Sequence, residues 1–172
     1  TEEGSILLTY KSSTLRLSDI QNLNDYCWLN DQCINFYYEY LENTISGIEN
    51  VKLIDPSSVA LMLYTDDIED LFDIFEPLEL DSADLIFCPV NDNDDKHKEA
   101  GGSHWALLIY SKHHAKFYYA DSGRGCIKHT SGIAAKLNWL ITNDKEATTI
   151  PTFKNEILIM KNNPKQNNSY DC

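Results

Sequence analysis

Hydrophobic and polar positions change their period along the chain. Ser5-Ile6-Leu7-Leu8-Thr9-Tyr10 is a short apolar run and predicts a first strand. Leu17-Ser18-Asp19-Ile20 predicts a cap followed by a short helix. After Trp28-Leu29, either Asn30 or Asp31 can cap a longer helix, along which Ile34, Tyr37, Leu41 and Ile45 recur at helical spacing. Asp55-Pro56 has the form of an N-cap with proline at the first helical position. A further helix is expected to begin near Asp66, because Asp66 and Glu69 have capping-box spacing and early acids suit a helix N-terminus. Its apolar stripe is Ile68, Leu71, Phe72 and Phe75, and Pro77 marks its end.

Beyond that point the pattern becomes strand-like. Residues 84–90 predict a buried strand, with Pro89 pointing to an edge or a bulge because it has no N–H to give. Residues 91–102 are polar, charged and glycine-ended, and predict a mobile loop. Two strands are expected at 105–111 and 116–121. A helix is expected at 131–142, with Ile133, Leu137, Leu140 and Ile141 on one face, and a last strand at 157–160. Helices come first and strands cluster later, so the fold class is α+β. No repeat or linker divides the sequence, and 172 residues suit one domain with a sizeable core.

Charge narrows the partners. A net charge of −13 argues against nucleic acid, whose phosphates call for a basic footprint. It suits a peptide carrying Arg or Lys, or else serves solubility alone. No apolar run is long enough to span a bilayer, and the start has neither the basic nor the apolar region of a secretory signal. The five cysteines, Cys27, Cys33, Cys88, Cys126 and Cys172, are irregularly spaced with no C-x-x-C pair. No structural zinc is expected, and free thiols in a reducing compartment, cytoplasmic or nuclear, are the simplest account.

The candidate chemistry centres on Cys172. A thiol is a weak nucleophile until a neighbouring imidazole takes its proton. The imidazole needs a third group to fix its tautomer, and a side-chain amide can donate to the oxyanion. His104 opens an apolar run after Gly101-Gly102-Ser103, Asp121 closes the next strand-like run, and Gln166 lies shortly before the cysteine. Cys172, His104, Asp121 and Gln166 can fill these roles, although such partners meet in space and not in sequence.

Four motifs then carry a resemblance. Trp28-Leu29-Asn30-Asp31, Gly102-Ser103-His104-Trp105, Tyr119-Ala120-Asp121-Ser122 and residues 166–172 resemble the sentrin-specific protease (Ulp) family, in order over nearly the whole chain. Asn91-Asp92-Asn93, Ala100-Gly101-Gly102 and Asn168-Ser169-Tyr170-Asp171-Cys172 look most like its deneddylase branch. The resemblance implies a papain-like fold, no cofactor, and cleavage after the C-terminal Gly-Gly of a ubiquitin-like modifier by a monomer. It implies Cys172 as nucleophile, His104 as base, Asp121 as its orienting acid and Gln166 in the oxyanion hole. It further implies that Trp28 and Trp105 cover the thin Gly-Gly tail and that Asp31 pairs with an Arg of that tail. In the family the cysteine is followed by Gly and by more helix and strand. Residues 1–172 are therefore expected to be one Ulp-type protease domain lacking its C-terminal segment, and weakly active or inactive without it.

Plainer readings stay open at this level. His104 can be structural, Asp121 can cap a turn with Ser122-Gly123, Trp28 and Trp105 can be core, and Gln166 can be solvated. Asp171 is a rival acid. His97, His113, His114 and His129 read as surface residues, and Cys27, Cys33, Cys88 and Cys126 as packing thiols. A non-catalytic module that binds a ubiquitin-like protein is the alternative from another class; a SUMO- or ubiquitin-specific protease is the alternative within this one.

Overall fold

A computed structural model of the chain describes all residues except 1–3, 94, 96, 98–100, 124–126, 143–146 and 171. A hairpin of β1 (Ile6–Tyr10) and β2 (Ser13–Arg16) leads into α1 (Leu17–Gln21) and α2 (Asp31–Thr44). Then come β3 (Val51–Leu53), α3 (Pro56–Tyr64), α4 (Ile68–Phe75) and β4 (Leu85–Asn91). The chain continues through β5 (Trp105–Ser111), β6 (Lys116–Ala120), α5 (Thr130–Thr142) and β7 (Ile157–Ile159). Strands β3 to β7 form one sheet in that spatial order, parallel at its two outer pairs and antiparallel in the middle. Helices precede most of this sheet, which is the α+β arrangement the sequence predicts.

Helices start where a short polar side chain takes an orphan N–H. Asn30 accepts from Cys33 N at 3.0 Å, and Asp55 accepts from Ser58 N at 2.9 Å with Pro56 opening the helix. Each such cap contributes about 1 kcal/mol. Two cap expectations shift. The cap of α1 is Arg16, just before the run Leu17-Ser18-Asp19-Ile20 expected to hold it, and Asp19 Oδ2 accepts from Arg16 N at 2.8 Å. The cap of α4 is Asp67 rather than Asp66, whose carboxylate is taken by Lys136 Nζ at 3.1 Å. Helix α4 ends at Phe75, and Pro77 falls in the 3-10 turn that follows. In α2 the apolar spacing does not mark a buried stripe. Tyr37 and Ile45 are exposed, Ile45 lies past the last turn, and the buried residue is Cys33.

The core lies on one face of the sheet. Ile86, Cys88 and Val90 of β4, Ala106 and Leu108 of β5, and Phe117 and Tyr119 of β6 alternate inward. They join Val59 and Met62 of α3, Leu71 and Phe75 of α4, and Ile133 and Leu137 of α5 in one cluster. Leu108 faces Cys88 on one side and Tyr119 on the other and is fully buried, a burial that contributes about 1.5–3 kcal/mol. Strand β4 is internal, which corrects the edge reading of Pro89. Because β3 pairs only with Leu85, Ile86 and Phe87, Pro89 sits where that flank has no ladder to break.

This topology builds one functional end. The exit of β4, the entry of β5 and the exit of β6 lie side by side, since Asn91 pairs with Trp105 and Leu107 with Ala120. Among the described residues no helix is long and apolar enough to cross a membrane.

Candidate active site

His104 immediately precedes β5 and Asp121 immediately follows β6, so the antiparallel register brings them together. His104 Nε2 lies 2.7 Å from Asp121 Oδ1, with the histidine side chain 22% exposed and the aspartate 7%. The proton belongs on Nε2, where it can donate to the carboxylate, and Nδ1 is left with a bare lone pair. The carboxylate is itself fixed: Tyr119 Oη donates to Oδ2 at 3.0 Å and Gly123 N donates to Oδ1 at 2.6 Å. The turn-cap reading of Asp121 and its pairing with His104 thus hold together. Tyr119 Oη in turn accepts from Ile127 N at 3.0 Å. A buried carboxylate needs such partners. Sequence reasoning passed over Tyr119, although a tyrosine two positions before the aspartate on one strand shares its face.

Residues 166–170 and Cys172 pass this pair without regular secondary structure. Gln166 N donates to Ser122 O at 3.0 Å, and Ser122 Oγ donates to Gln166 Oε1 at 2.6 Å. Gln166 Nε2 gives one of its hydrogens to Asn168 O at 2.8 Å, which leaves the second. Cys172 Sγ lies 3.8 Å from Ser103 O, the carbonyl next to His104, and is partly exposed. Trp28 Nε1 donates to Ser169 O at 3.0 Å, and Tyr26 packs on Tyr170 with ring centroids 5.1 Å apart. A groove of about 700 Å³ opens beside His104, lined by Trp28, Asp31, Trp105 and Gly102 among others. Trp28 is 53% exposed and Trp105 Nε1 is tied to Leu29 O at 2.8 Å, so Trp28 is a groove wall and not core.

Residues 27–172 match the family model described as Ulp1 protease family, C-terminal catalytic domain. The chain belongs to the Ulp1 protease family. It is 34% identical to a probable sentrin-specific protease 8 of Dictyostelium discoideum, covering 97% of this chain and 70% of that relative. It is 33% identical to NEDD8-specific protease 1 of Arabidopsis thaliana, covering 100% of this chain and 72% of that relative. Among solved structures, the C-terminal Ulp1 protease domain in complex with SMT3, the yeast ortholog of SUMO, superposes with a TM-score of 0.71. That match has 23% identity and covers 100% of this chain and 72% of the other. The fold is the papain-like α+β fold of Ulp1 proteases, and the family is one of cysteine peptidases.

Within this Ulp1 frame, some polar residues sit differently from expectation. His129 is half-buried and lines the groove, with Nε2 2.7 Å from Asn91 O. His97, His113 and His114 are exposed. Cys33 and Cys88 are packed, and burial pushes both thiols up, for Cys33 with help from the Asp19 charge. Cys27 lines the groove instead of packing in the core. Cys126, Asp171 and Ala100 lie outside the described residues, as does part of the loop expected to be mobile. Among the described residues no cluster of three or more His, Cys, Asp or Glu could hold a metal ion.

Proposed function

We propose that this chain is a thiol peptidase and isopeptidase domain that cleaves after the C-terminal Gly-Gly of a ubiquitin-like modifier, with a NEDD8-type modifier preferred. The observation that carries the reading is the His104–Asp121 pair at 2.7 Å, standing beside a tryptophan-walled groove with the Cys172 sulfur one residue away from the imidazole's backbone. His104 Nδ1 takes the thiol proton. The thiolate attacks the carbonyl carbon of the terminal glycine, and the imidazolium returns the proton to the leaving amine. Water, activated by the same imidazole, then hydrolyses the thioester. Gln166 donates its second amide hydrogen to the oxyanion. Trp28 and Trp105 enclose a tail that only glycine makes thin enough, and Asp31 at the groove receives an Arg of that tail. The relative named NEDD8-specific protease 1 supports the modifier preference. The free thiols among the described residues support a reduced compartment, cytoplasmic or nuclear, and a monomer suffices for the chemistry.

The test is side-by-side cleavage of NEDD8, SUMO and ubiquitin precursors by the protein and by its Cys172→Ala variant. NEDD8 precursor should be cleaved fastest, and a thiol-reactive NEDD8 probe should form an adduct on Cys172. Tight modifier binding with neither cleavage nor adduct would instead make the protein a binding module. Faster cleavage of SUMO or ubiquitin would overturn the modifier preference alone.

A further inference from the structure

We propose that Asp92 is a positioning residue for this reaction: its carboxylate clamps the turn into β5 and so sets both the His104 imidazole and the Ser103 carbonyl beside Cys172. The assignment rests on the reading of Cys172 as nucleophile and His104 as base.

Strand β4 ends at Asn91, yet Asp92 N still donates to His104 O at 3.0 Å, one step beyond the ladder. The Asp92 side chain then turns back on the same segment. Its Oδ1 accepts from Ser103 N at 2.6 Å and from His104 N at 3.0 Å, and its Oδ2 accepts from Ser103 Oγ at 3.0 Å. The N–H and the C=O of His104 are therefore both held by one residue. Burial pushes the Asp92 carboxyl up, but the Ser103 N–H and hydroxyl, the His104 N–H and the His104 charge outweigh it and hold the carboxyl below its ordinary value. The clamp is thus charged at neutral pH, and its bonds are the stronger charge-assisted kind. Gly102 closes the turn at φ +88, where a Cβ would collide with Asn91 and stand 2.7 Å from Asp92 Oδ1.

Strand pairing does not require this clamp. Trp105–Ser111 is already fixed by β4 along its whole length and by β6 over Leu107 to Ser111. What the clamp fixes is the pair of residues outside the ladder that reach the site: Ser103, whose carbonyl lies 3.8 Å from Cys172 Sγ, and His104 itself. A carboxylate spent only on folding would have no reason to grip those two.

The test compares Asp92→Ala and Asp92→Asn with the unaltered protein. Asp92→Ala should keep its far-UV circular dichroism and lose kcat for modifier-precursor cleavage by about tenfold or more, with KM within about twofold. Asp92→Asn keeps an oxygen for the two N–H groups and should recover to about threefold below the unaltered kcat. Alkylation of Cys172 by iodoacetamide, read on its own peptide by mass spectrometry, should slow in the same order, because it senses the imidazole and not the modifier. A folded Asp92→Ala with unaltered kcat and alkylation would overturn the proposal, as would an Asn variant no better than Ala. Should Asp92→Ala fail to fold, the Asn variant decides: unaltered kcat and alkylation there also overturn it. The underlying reading fails separately, through cleavage that survives in Cys172→Ala or His104→Ala.

Discussion

His104 and Asp121 flank adjacent strands, and the β5–β6 ladder carries them to one end of the sheet, where the Asp92 clamp and their own 2.7 Å contact complete the placement. Residues 166–170 and Cys172 have no ladder. They are held by the Ser122–Gln166 exchange, the Trp28 bond to Ser169 O and the Tyr26–Tyr170 contact. The base side is therefore preorganised by topology, while the nucleophile side is docked by individual polar and aromatic contacts. Substitutions on the first side should disturb chemistry with little loss of order. Those on the second should disturb chemistry and local order together.

The largest effect that breaks this symmetry is expected from Asp121→Asn. The sheet and the Asp92 clamp keep His104 in place, but an amide can turn its NH2 toward Nε2 and favour the wrong tautomer. The kcat should fall about 10²- to 10⁴-fold with little change in KM. Steady-state kinetics with the preferred precursor check this, and a kcat within tenfold of the unaltered protein would remove Asp121 from the mechanism. Gln166→Ala comes next, with an expected loss of about 10²- to 10³-fold from the missing oxyanion donor. It also removes the Gln166 bonds to the Ser122 hydroxyl and to the Asn168 carbonyl. Proteolysis of residues 166–172 should accordingly quicken in Gln166→Ala and stay unchanged in Asp121→Asn. Equal protection in both would erase the distinction between the two sides.

The same contrast governs what the sequence reveals. The strands that His104 and Asp121 flank are legible because they are apolar runs, as in Trp105–Ser111, of which Ala106, Leu108 and Tyr110 point inward. Short strands are legible only when wholly apolar: β7 is as short as β3 but reads Ile-Leu-Ile, whereas β2 and β3 carry polar or charged residues within too few positions for a period to register. Cap positions slip by a residue where a distant partner intervenes, as Lys136 does at Asp66. Tertiary bonds leave no local signal at all. Nothing beside His129 announces its bond to Asn91 O, and nothing beside Asp92 announces its grip on the residues before β5. The four proposed active-site residues were found by residue type, order and family motif, whereas those that hold them in place appear only in three dimensions.

A smaller effect is expected at the groove. Asp31 begins α2 and is partly exposed, so its contact with a tail Arg is screened by water. Asp31→Ala should raise KM about twofold to fivefold and leave kcat nearly unchanged, in line with the roughly 0.2–1 kcal/mol of exposed ion pairs. A tail with Arg replaced by Ala should then bind both forms equally. An unchanged KM, or a loss confined to kcat, would remove the Arg contact.

The smallest effect on catalysis, none at neutral pH, is expected at a contact outside both sides of the site. Glu39 of α2 clasps the β1–β2 hairpin: Oε1 accepts from Ser12 N at 2.9 Å and from Ser12 Oγ at 2.6 Å, and Oε2 accepts from Ser13 N at 2.7 Å. The Ser12 hydroxyl, the Ser13 contact and the Ser12 N–H hold its carboxyl at about 2, against an ordinary 4.5. A carboxyl depressed in the folded state stabilises fully above its ordinary value, and that contribution is lost as pH falls toward the folded one. The clasp should therefore weaken between pH 4.5 and about 2, not near neutrality. Glu39→Gln keeps one acceptor but cannot titrate. Melting temperatures of the two forms should differ at pH 6 and converge as pH falls through this window, while modifier cleavage at pH 7 stays the same. A melting gap that persists undiminished at the acid end would show that the carboxylate charge is not what fastens the hairpin. A change in neutral-pH cleavage would show that the hairpin is coupled to the site after all, and the division between sheet-built and side-chain-docked halves would need a third member.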